Sequence, residues 1–390
     1  MQNFLKRFKN TYIPKLRFKE FNEPYFDVLL KDVLFYEQPT KYVVKTEKYD
    51  DLHETPVLTA NKSFILGKTN EQSGVYSKGP VILFDDFTTD NKYVDFKFKI
   101  KSSAIKLLTT NGKNNLFYLY NLINVSKLFQ YGHNRHWIQF TSNENRWICT
   151  LKEQEKISKF IWLLDKQISL LENKLQLMEQ KVNYFEKKLL LTNSKVPVLR
   201  FKEFSSDWKK NTVENIFKIT RGLVIAKNKI SNLKNNNFSF PVYSSQTQNE
   251  GLMGYYNQYL YENAITWTTD GYAGTVNYRN EKFYCTNVCG VLLEKEYKPN
   301  LCFAKIIGKE TKKYVIKQIA IPKLMNNVMA KIEIIFPESK NEQYKINSFF
   351  NFLNKQINLL NKKIKMLLKR KNYYLKQLLF FANRKEVNND

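Results

Sequence analysis

Residues 13–21 read IPKLRFKEF and residues 196–204 read VPVLRFKEF, with seven of the nine positions identical at an offset of 183. A second pair, EQEKISKFIWLLDKQISLLENKL from Glu153 and EQYKINSFFNFLNKQINLLNKKI from Glu342, repeats at an offset of 189. Each half of the chain is therefore an anchor, a variable region and a helix, and the second variable region is six residues longer. Repetition on this scale decides the architecture before local propensity does. By eye the two variable regions share nothing, so one frame carries two unlike inserts, as expected of a single scaffold with two recognition surfaces. Uneven divergence of two ordinary domains predicts the reverse, with cores better kept than surface helices.

The repeated helices carry heptads. In the first, Ile157, Ile161, Leu164, Ile168, Leu171 and Leu175 begin an alternation of four and three that runs on through Met178, Val182, Phe185 and Leu189. The second gives Ile346, Phe350, Leu353, Ile357, Leu360, Ile364 and Leu367, then the cation Lys371, then Tyr374 and Leu378. These are coiled-coil seams. Each covers 33 residues, which at 1.5 Å per residue is about 50 Å of helix. A lone helix cannot hide such a stripe, and the obvious partner is the other helix. Equivalent faces of two equivalent halves pack most simply about a pseudo-twofold axis, with the helices antiparallel and the variable regions at opposite ends. Half-sites one DNA turn apart lie about 34–36 Å from each other, so the spacer suits a split target with an unread gap. Residues 152–190 hold eight lysines against six acids, whereas 340–385 hold twelve Lys and Arg against one acid. That distal surplus fits phosphate contact or a solvated face.

With 390 residues, the chain divides as 1–150 (first recognition domain with anchor 13–21), 151–192 (first helical spacer), 193–337 (second recognition domain with anchor 196–204) and 338–390 (distal helix and tail). Lys and Arg number 63 against 36 Asp and Glu, a net charge of +27 that calls for a polyanion, most commonly nucleic acid. No apolar run approaches the roughly 18 residues of a membrane span, and MQNFLKRFKN lacks a secretory apolar core, so a cytoplasmic protein is expected. Cys149, Cys285, Cys289 and Cys302 are too few for a disulfide scaffold and read as buried thiols.

Enzyme motifs are missing where their chemistry needs them. Gly67-Lys68-Thr69 resembles the end of a phosphate loop, but Lys62 stands where the first glycine belongs. No G-x-G-x-x-G turn exists for a nucleotide-type cofactor, nor an Asp/Asn-Pro-Pro-aromatic tetrapeptide to hold a flipped base. Asp85, Asp86 and Asp90 read as turn and capping groups rather than a nuclease metal site, and His133, His136 and His53 suit a surface or groove better than a metal. The expectation is a non-catalytic chain that binds no cofactor and no metal of its own.

Both variable regions read as α+β. The first, roughly 22–150, has YVVKT, GPVILF and KYVDFKFKIK as strands and a helix near 116–129; the second, roughly 205–337, has FSFPVYSS, NAITWTTDGYAGTVNYR and KFYCTNVCGVLLE, then a helix over 301–307. Lys-rich loops interleaved with Ser, Thr, Asn and Gln are the mixture that grips phosphates and reads base edges. Candidate readers are Lys68, Lys78, Ser102, Ser103, Arg135 and His136 in the first region. In the second they are Ser244, Ser245, Gln246, Thr247, Arg279 and the turn with Thr268, Thr269, Asp270 and Tyr272. For any one of them an ordinary turn or surface role is the commoner outcome. Trp137, Trp147 and Trp267 are expected in the core.

The anchors Leu16 to Phe21 and Leu199 to Phe204 followed by Trp208, the helices with Lys166-Gln167-Ile168 and Lys355-Gln356-Ile357, and the two dissimilar inserts resemble the specificity subunit of type I restriction-modification systems. The likeness covers nearly the whole chain and extends into residues 79–108 and the segments PVYSSQTQNEGLMGYY and ITWTTDGYAGTV. What it implies is a DNA-binding, non-catalytic chain in which each insert reads one half of a bipartite double-stranded target. The helices would set the gap and bind two methyltransferase subunits, and restriction subunits would complete the cleaving complex. A structural coiled-coil adaptor whose inserts bind proteins is the alternative from another class, and steep salt dependence of binding separates the two.

Overall fold

The computed structural model describes residues 11–14, 16–61, 63–126, 128, 130–132, 134–190, 195–245, 248–315 and 322–379. The chain forms two compact units, one of residues up to Leu171 together with those from Lys363 onward, the other Glu172–Lys362. Each unit therefore contains one variable region and part of each long helix.

In the first unit the strands are β1 (Thr11–Tyr12), β2 (Tyr25–Leu29), β3 (Phe35–Glu37), β4 (Thr55–Leu58), β5 (Ile65–Thr69), β6 (Val81–Asp85), β7 (Asn91–Val94), β8 (Lys99–Ile100), β9 (Ile105–Thr109) and β10 (Asn145–Ile148). Three short helices, α1 (Leu30–Val33), α2 (Leu116–Val125) and α3 (His136–Gln139), precede the long helix α4 (Leu151–Leu189). The second unit has β11 (Lys209–Thr212), β12 (Phe217–Arg221), β13 (Phe240–Tyr243), β14 (Leu252–Tyr256), β15 (Tyr261–Thr268), β16 (Val276–Cys285), β17 (Cys289–Glu294) and β18 (Glu333–Phe336). Its helices are α5 (Val213–Ile216), α6 (Leu301–Tyr314) and α7 (Asn326–Ala330), followed by the second long helix α8 (Lys340–Leu379).

The two variable regions share one topology although their sequences differ. The first builds an antiparallel sheet in the order β3-β9-β6-β7, the second the same order as β12-β17-β15-β16. In each, a hairpin then joins through a parallel pairing, Val57 opposite Lys99 in one and Val242 opposite Tyr284 in the other. The central strands β6 and β15 are buried on both faces over VILF and AITW, which is why they read as continuous apolar runs rather than alternations. Two strand expectations need correction. YVVKT is not a strand: a turn of 3₁₀ helix over Thr40–Tyr42 and a single bridge at Val43 replace it, because Tyr42 turns inward into the core beside Tyr76. KYVDFKFKIK splits into β7 and β8, whereas the second region keeps one ten-residue strand there. The helix expected over 301–307 continues to Tyr314.

The anchor packs on the start of its long helix through contacts that repeat residue by residue. Arg17 grips Glu153 with Nε to Oε1 at 2.9 Å and Nη2 to Oε2 at 2.7 Å, while Tyr25 donates its hydroxyl to Oε1 at 3.1 Å. Arg200 does the same to Glu342 at 2.8 and 2.8 Å, and Trp208 Nε1 takes the place of the tyrosine at 3.2 Å. Lys156 pairs with Glu20 and lies over the Phe18 ring; Lys345 pairs with Glu203 and lies over the Phe201 ring. Bidentate pairs of this kind fix orientation as well as distance.

The next residue of each helix holds the variable region. Gln154 accepts the Asn115 backbone N–H at 2.9 Å, and Asn115 caps α2 by accepting from Tyr118. Gln343 accepts from Asn300 Nδ2 at 3.0 Å, and Asn300 caps α6 by accepting from Phe303.

Along the helices the seams meet in antiparallel sense. In the first unit Phe160 packs edge-on against Tyr374 and Asp165 pairs with Lys371, so α4 advances as α8 recedes. In the second unit Phe185 meets Phe349, the same pairing one repeat on, beside buried Ile346, Phe350 and Leu353. Ile157, Ile161, Ile168 and Ile364 are buried as the seam predicts, and Leu164, Leu171, Leu175, Ile357 and Leu360 are half-buried. Full burial of such an aliphatic side chain stabilises by about 1.5–3 kcal/mol. Lys371 is accommodated in the seam by its 2.5 Å pair with Asp165.

Candidate nucleic-acid interface

In the second unit several sequence-predicted readers converge at one edge of the sheet. Arg221 ends β12 opposite Gly290, and Thr268 ends β15 opposite Cys289, so the connections after both strands leave together with the 286–288 turn. Gly222 locks this edge: its N–H donates to Cys289 O at 3.0 Å, and a Cβ there would lie 2.1 Å from Cys285 O. Ser244 accepts from Thr286 Oγ1 at 3.0 Å. Arg279 stacks on the Tyr243 ring at 3.6 Å and donates from Nε to Thr266 Oγ1 at 3.3 Å. Ser244, Thr268 and Arg279 thus line one cavity of about 170 Å³. Thr269 is buried and holds Val288 O through its N–H at 3.0 Å; the backbones of Asp270 and Lys323 pair in a single antiparallel β-bridge, and Tyr272 stands exposed on the turn. Ser245 is half-buried beside Ser244. Gln246 and Thr247 lie outside the described residues.

The corresponding edge of the first unit gathers fewer of its predicted readers. Lys78 Nζ lies 2.8 Å from Glu37 Oε2 at the end of β3, and Gln38 next to it donates to Ser103 O at 3.0 Å and accepts from buried Lys106 at 2.6 Å. Ser102 caps the same turn by accepting from Ala104 N at 3.1 Å. Lys68 sits apart on β5, exchanging backbone hydrogen bonds with Asp50, and Arg135 is exposed before α3.

His136 is a correction. It is fully buried, with Nδ1 at 2.9 Å from Asp86 O and Nε2 accepting from Tyr131 N at 2.9 Å. Both ring nitrogens are satisfied by backbone, which leaves none for a base. His133 lies outside the described residues.

Asp85 caps a turn, accepting from Phe87 N and Thr88 N, and buried Asp86 accepts from Trp137 N. No group of three or more His, Cys, Asp or Glu among the described residues is placed to hold a metal. All four cysteines are buried free thiols, and burial pushes Cys149 up to about 12 and Cys289 up to about 11, away from thiolate chemistry. Trp137 and Trp267 are core residues, and Trp147 is half-buried. No helix among the described residues is long and apolar enough to cross a membrane.

A second set of helix residues lies outside the two seam positions. In the first unit Leu163 and Leu170 of α4 and Met366 and Tyr373 of α8 are exposed; in the second unit Leu177 and Tyr184 of α4 and Phe352 and Leu359 of α8 are exposed. Spaced by seven along each helix and repeated at the offset of 189, they form a second apolar heptad position facing outward. The signal was available in the sequence by reading the heptad beyond its two core positions. Exposed apolar residues in register mark contact surfaces.

Two α+β regions of one topology, each clamped to its long helix by the same bidentate pair, define a duplicated two-module protein. The family model described as the type I restriction modification DNA specificity domain matches residues 205–370. The EcoR124I/EcoR124II specificity subunit of Escherichia coli is 39% identical over 246 residues, 60% of this chain and 58% of that one. The N-terminal part of a putative type I specificity subunit of Mycoplasma pneumoniae is 41% identical over 136 residues, 34% of this chain and 70% of that one. The crystal structure of the type I S subunit from M. genitalium shares the fold, with a TM-score of 0.70 at 14% identity over 95% of this chain and 99% of that one. The chain belongs to the family of type I restriction-modification specificity subunits.

Proposed function

We propose that this chain is the DNA-specificity subunit of a type I restriction-modification complex, in which each α+β region reads one half of a bipartite duplex target. The carrying observation is the repeated clamp: Arg17–Glu153 and Arg200–Glu342 hold two regions of one topology and unlike surface in equivalent places on equivalent helices. A frame duplicated so closely, carrying two regions of one topology and unlike sequence, suits recognition of two unlike half-sites. The net charge of +27 supplies the phosphate attraction that is independent of sequence, and the polar edges supply base contacts.

The helices set the gap, and their exposed heptad residues offer each of two methyltransferase subunits an apolar strip for partner helices. Restriction subunits join to make the cleaving complex, which works on DNA in the cytoplasm. This chain positions DNA and does no bond chemistry itself; methyl donor and nucleotide are left to its partners. The test is methylome sequencing of cells that co-express the chain with its methyltransferase subunit. Methylation at a split motif with a fixed gap is expected. A contiguous motif, or methylation that does not depend on this chain, would overturn the reading.

A further inference from the structure

The cavity beside Arg279 differs from a basic surface patch in that its one cation is buried and already occupied. The Arg279 side chain is only 5% exposed, with its plane fixed by the Tyr243 ring and the Thr266 hydroxyl. Its outer edge meets Glu250: Nη2 donates to the Glu250 carbonyl at 2.6 Å, and Nη1 lies 3.6 Å from the Oε2 of a carboxylate whose side chain is 79% exposed. Asn249, Glu250 and Gly251 all have positive φ, at 49°, 55° and 89°, a conformation uncommon for Glu250. The remaining lining is Ser244, Thr266, Thr268, Thr275, Asn277 and Cys289, hydroxyls, an amide and a thiol, without a second cation.

A planar fork fixed in orientation matches any bidentate acceptor, and the Glu250 carboxylate, 79% exposed and 3.6 Å from Nη1, is held loosely enough to be exchanged for a better one. Phosphate sites gather several cations, whereas a single Arg fork among hydroxyls and an amide suits the directional acceptors of a base edge. Resting on the DNA-reading role above, we propose that Arg279 reads one guanine through O6 and N7 in the half-site of the second region, and that Glu250 is the resident carboxylate it exchanges for that base. In the free chain Glu250 withholds the fork from random phosphates, so it acts for discrimination rather than affinity.

The complex with the methyltransferase subunit is compared by methylome sequencing as wild type, Arg279→Lys and Glu250→Gln. The half-site of the second region is the half left unchanged when residues 22–150 are exchanged. It is expected to contain a G·C pair. Arg279→Lys keeps the charge but loses the fork, and should cut discrimination at that pair by roughly 10–100-fold, with the other half-site untouched. Glu250→Gln, at a side chain that is 79% exposed, should keep the motif and raise methylation of off-target sites several-fold. A half-site of A·T pairs alone, an unaltered motif in Arg279→Lys, or even weakening at all sites (a phosphate contact) would each overturn the proposal while leaving the DNA-reading role intact. Wild type with no split motif would overturn that role, and the proposal with it.

Discussion

Replacing Glu153 with Gln removes the fully buried charge of the clamp, whose Arg17 partner is 10% exposed. The Glu153 side chain is 0% exposed and serves three donors, Arg17 Nε, Arg17 Nη2 and the Tyr25 hydroxyl. An amide keeps one acceptor but turns an NH₂ toward the guanidinium, so at least one buried donor loses its partner. Breaking a buried pair by removing one member costs about 3–5 kcal/mol. Because Arg17 Nη2 also holds the Glu23 carbonyl, the lower end, about 3 kcal/mol, is expected. For a unit of roughly 200 residues each kcal/mol shifts Tm by about 2–4 °C, so the fall should be about 6–12 °C.

Calorimetry of the full chain measures it, and Glu342→Gln should produce a loss of the same size in the transition of the second unit. Arg17→Met combined with Glu153→Leu should recover most of the stability, since replacing both charges with apolar groups is close to neutral. A loss below about 1 kcal/mol in Glu153→Gln, or a double variant no better than the single one, would refute the clamp as what holds anchor to helix.

Three further outcomes are expected. Lys371→Leu should leave stability unchanged or raise it by about 1 kcal/mol by urea unfolding, because the apolar seam gains a residue and half-exposed Asp165 is cheaply left alone. Burial pushes the Glu37 carboxyl upward, but hydrogen bonds from Lys41, Lys78 and Tyr42 outweigh it and hold it at about 2. Its contribution is thus fully present above its ordinary value near 4.5 and is lost as pH falls through about 2; Glu37→Gln should flatten the stability profile of the first unit in that window. Insertion of one heptad between Leu171 and Leu175 should lengthen the unread gap or abolish methylation, and an unchanged gap in the methylome would exclude a spacer role.

The frame was legible because its parts repeat: LRFKEF and the EQ that opens each helix announced both halves, although not that Arg17 and Arg200 reach those glutamates. The common topology of the variable regions was not legible. Strand pairing is set by long-range register, and β6 and β15 need only be buried on both faces, which VILF and AITW satisfy with a single isoleucine in common. Asn115 and Asn300 were open to notice as caps before apolar helices, yet their link to Gln154 and Gln343 exists only in three dimensions. His136 shows why the reading edges were hardest. A polar residue among Asn and Arg reads as surface, and only the fold supplies the two backbone partners that bury it. Arg279 was recognised by its chemistry, but its resident Glu250 lies 29 positions away in the chain.

The central claim is that two regions on one frame read separately. Exchange of residues 22–150 for the first variable region of another such chain, followed by methylome sequencing with the methyltransferase subunit present, tests it most directly. One half of the methylated motif should change while the other half and the gap stay as they were. A change in both halves would contradict the account.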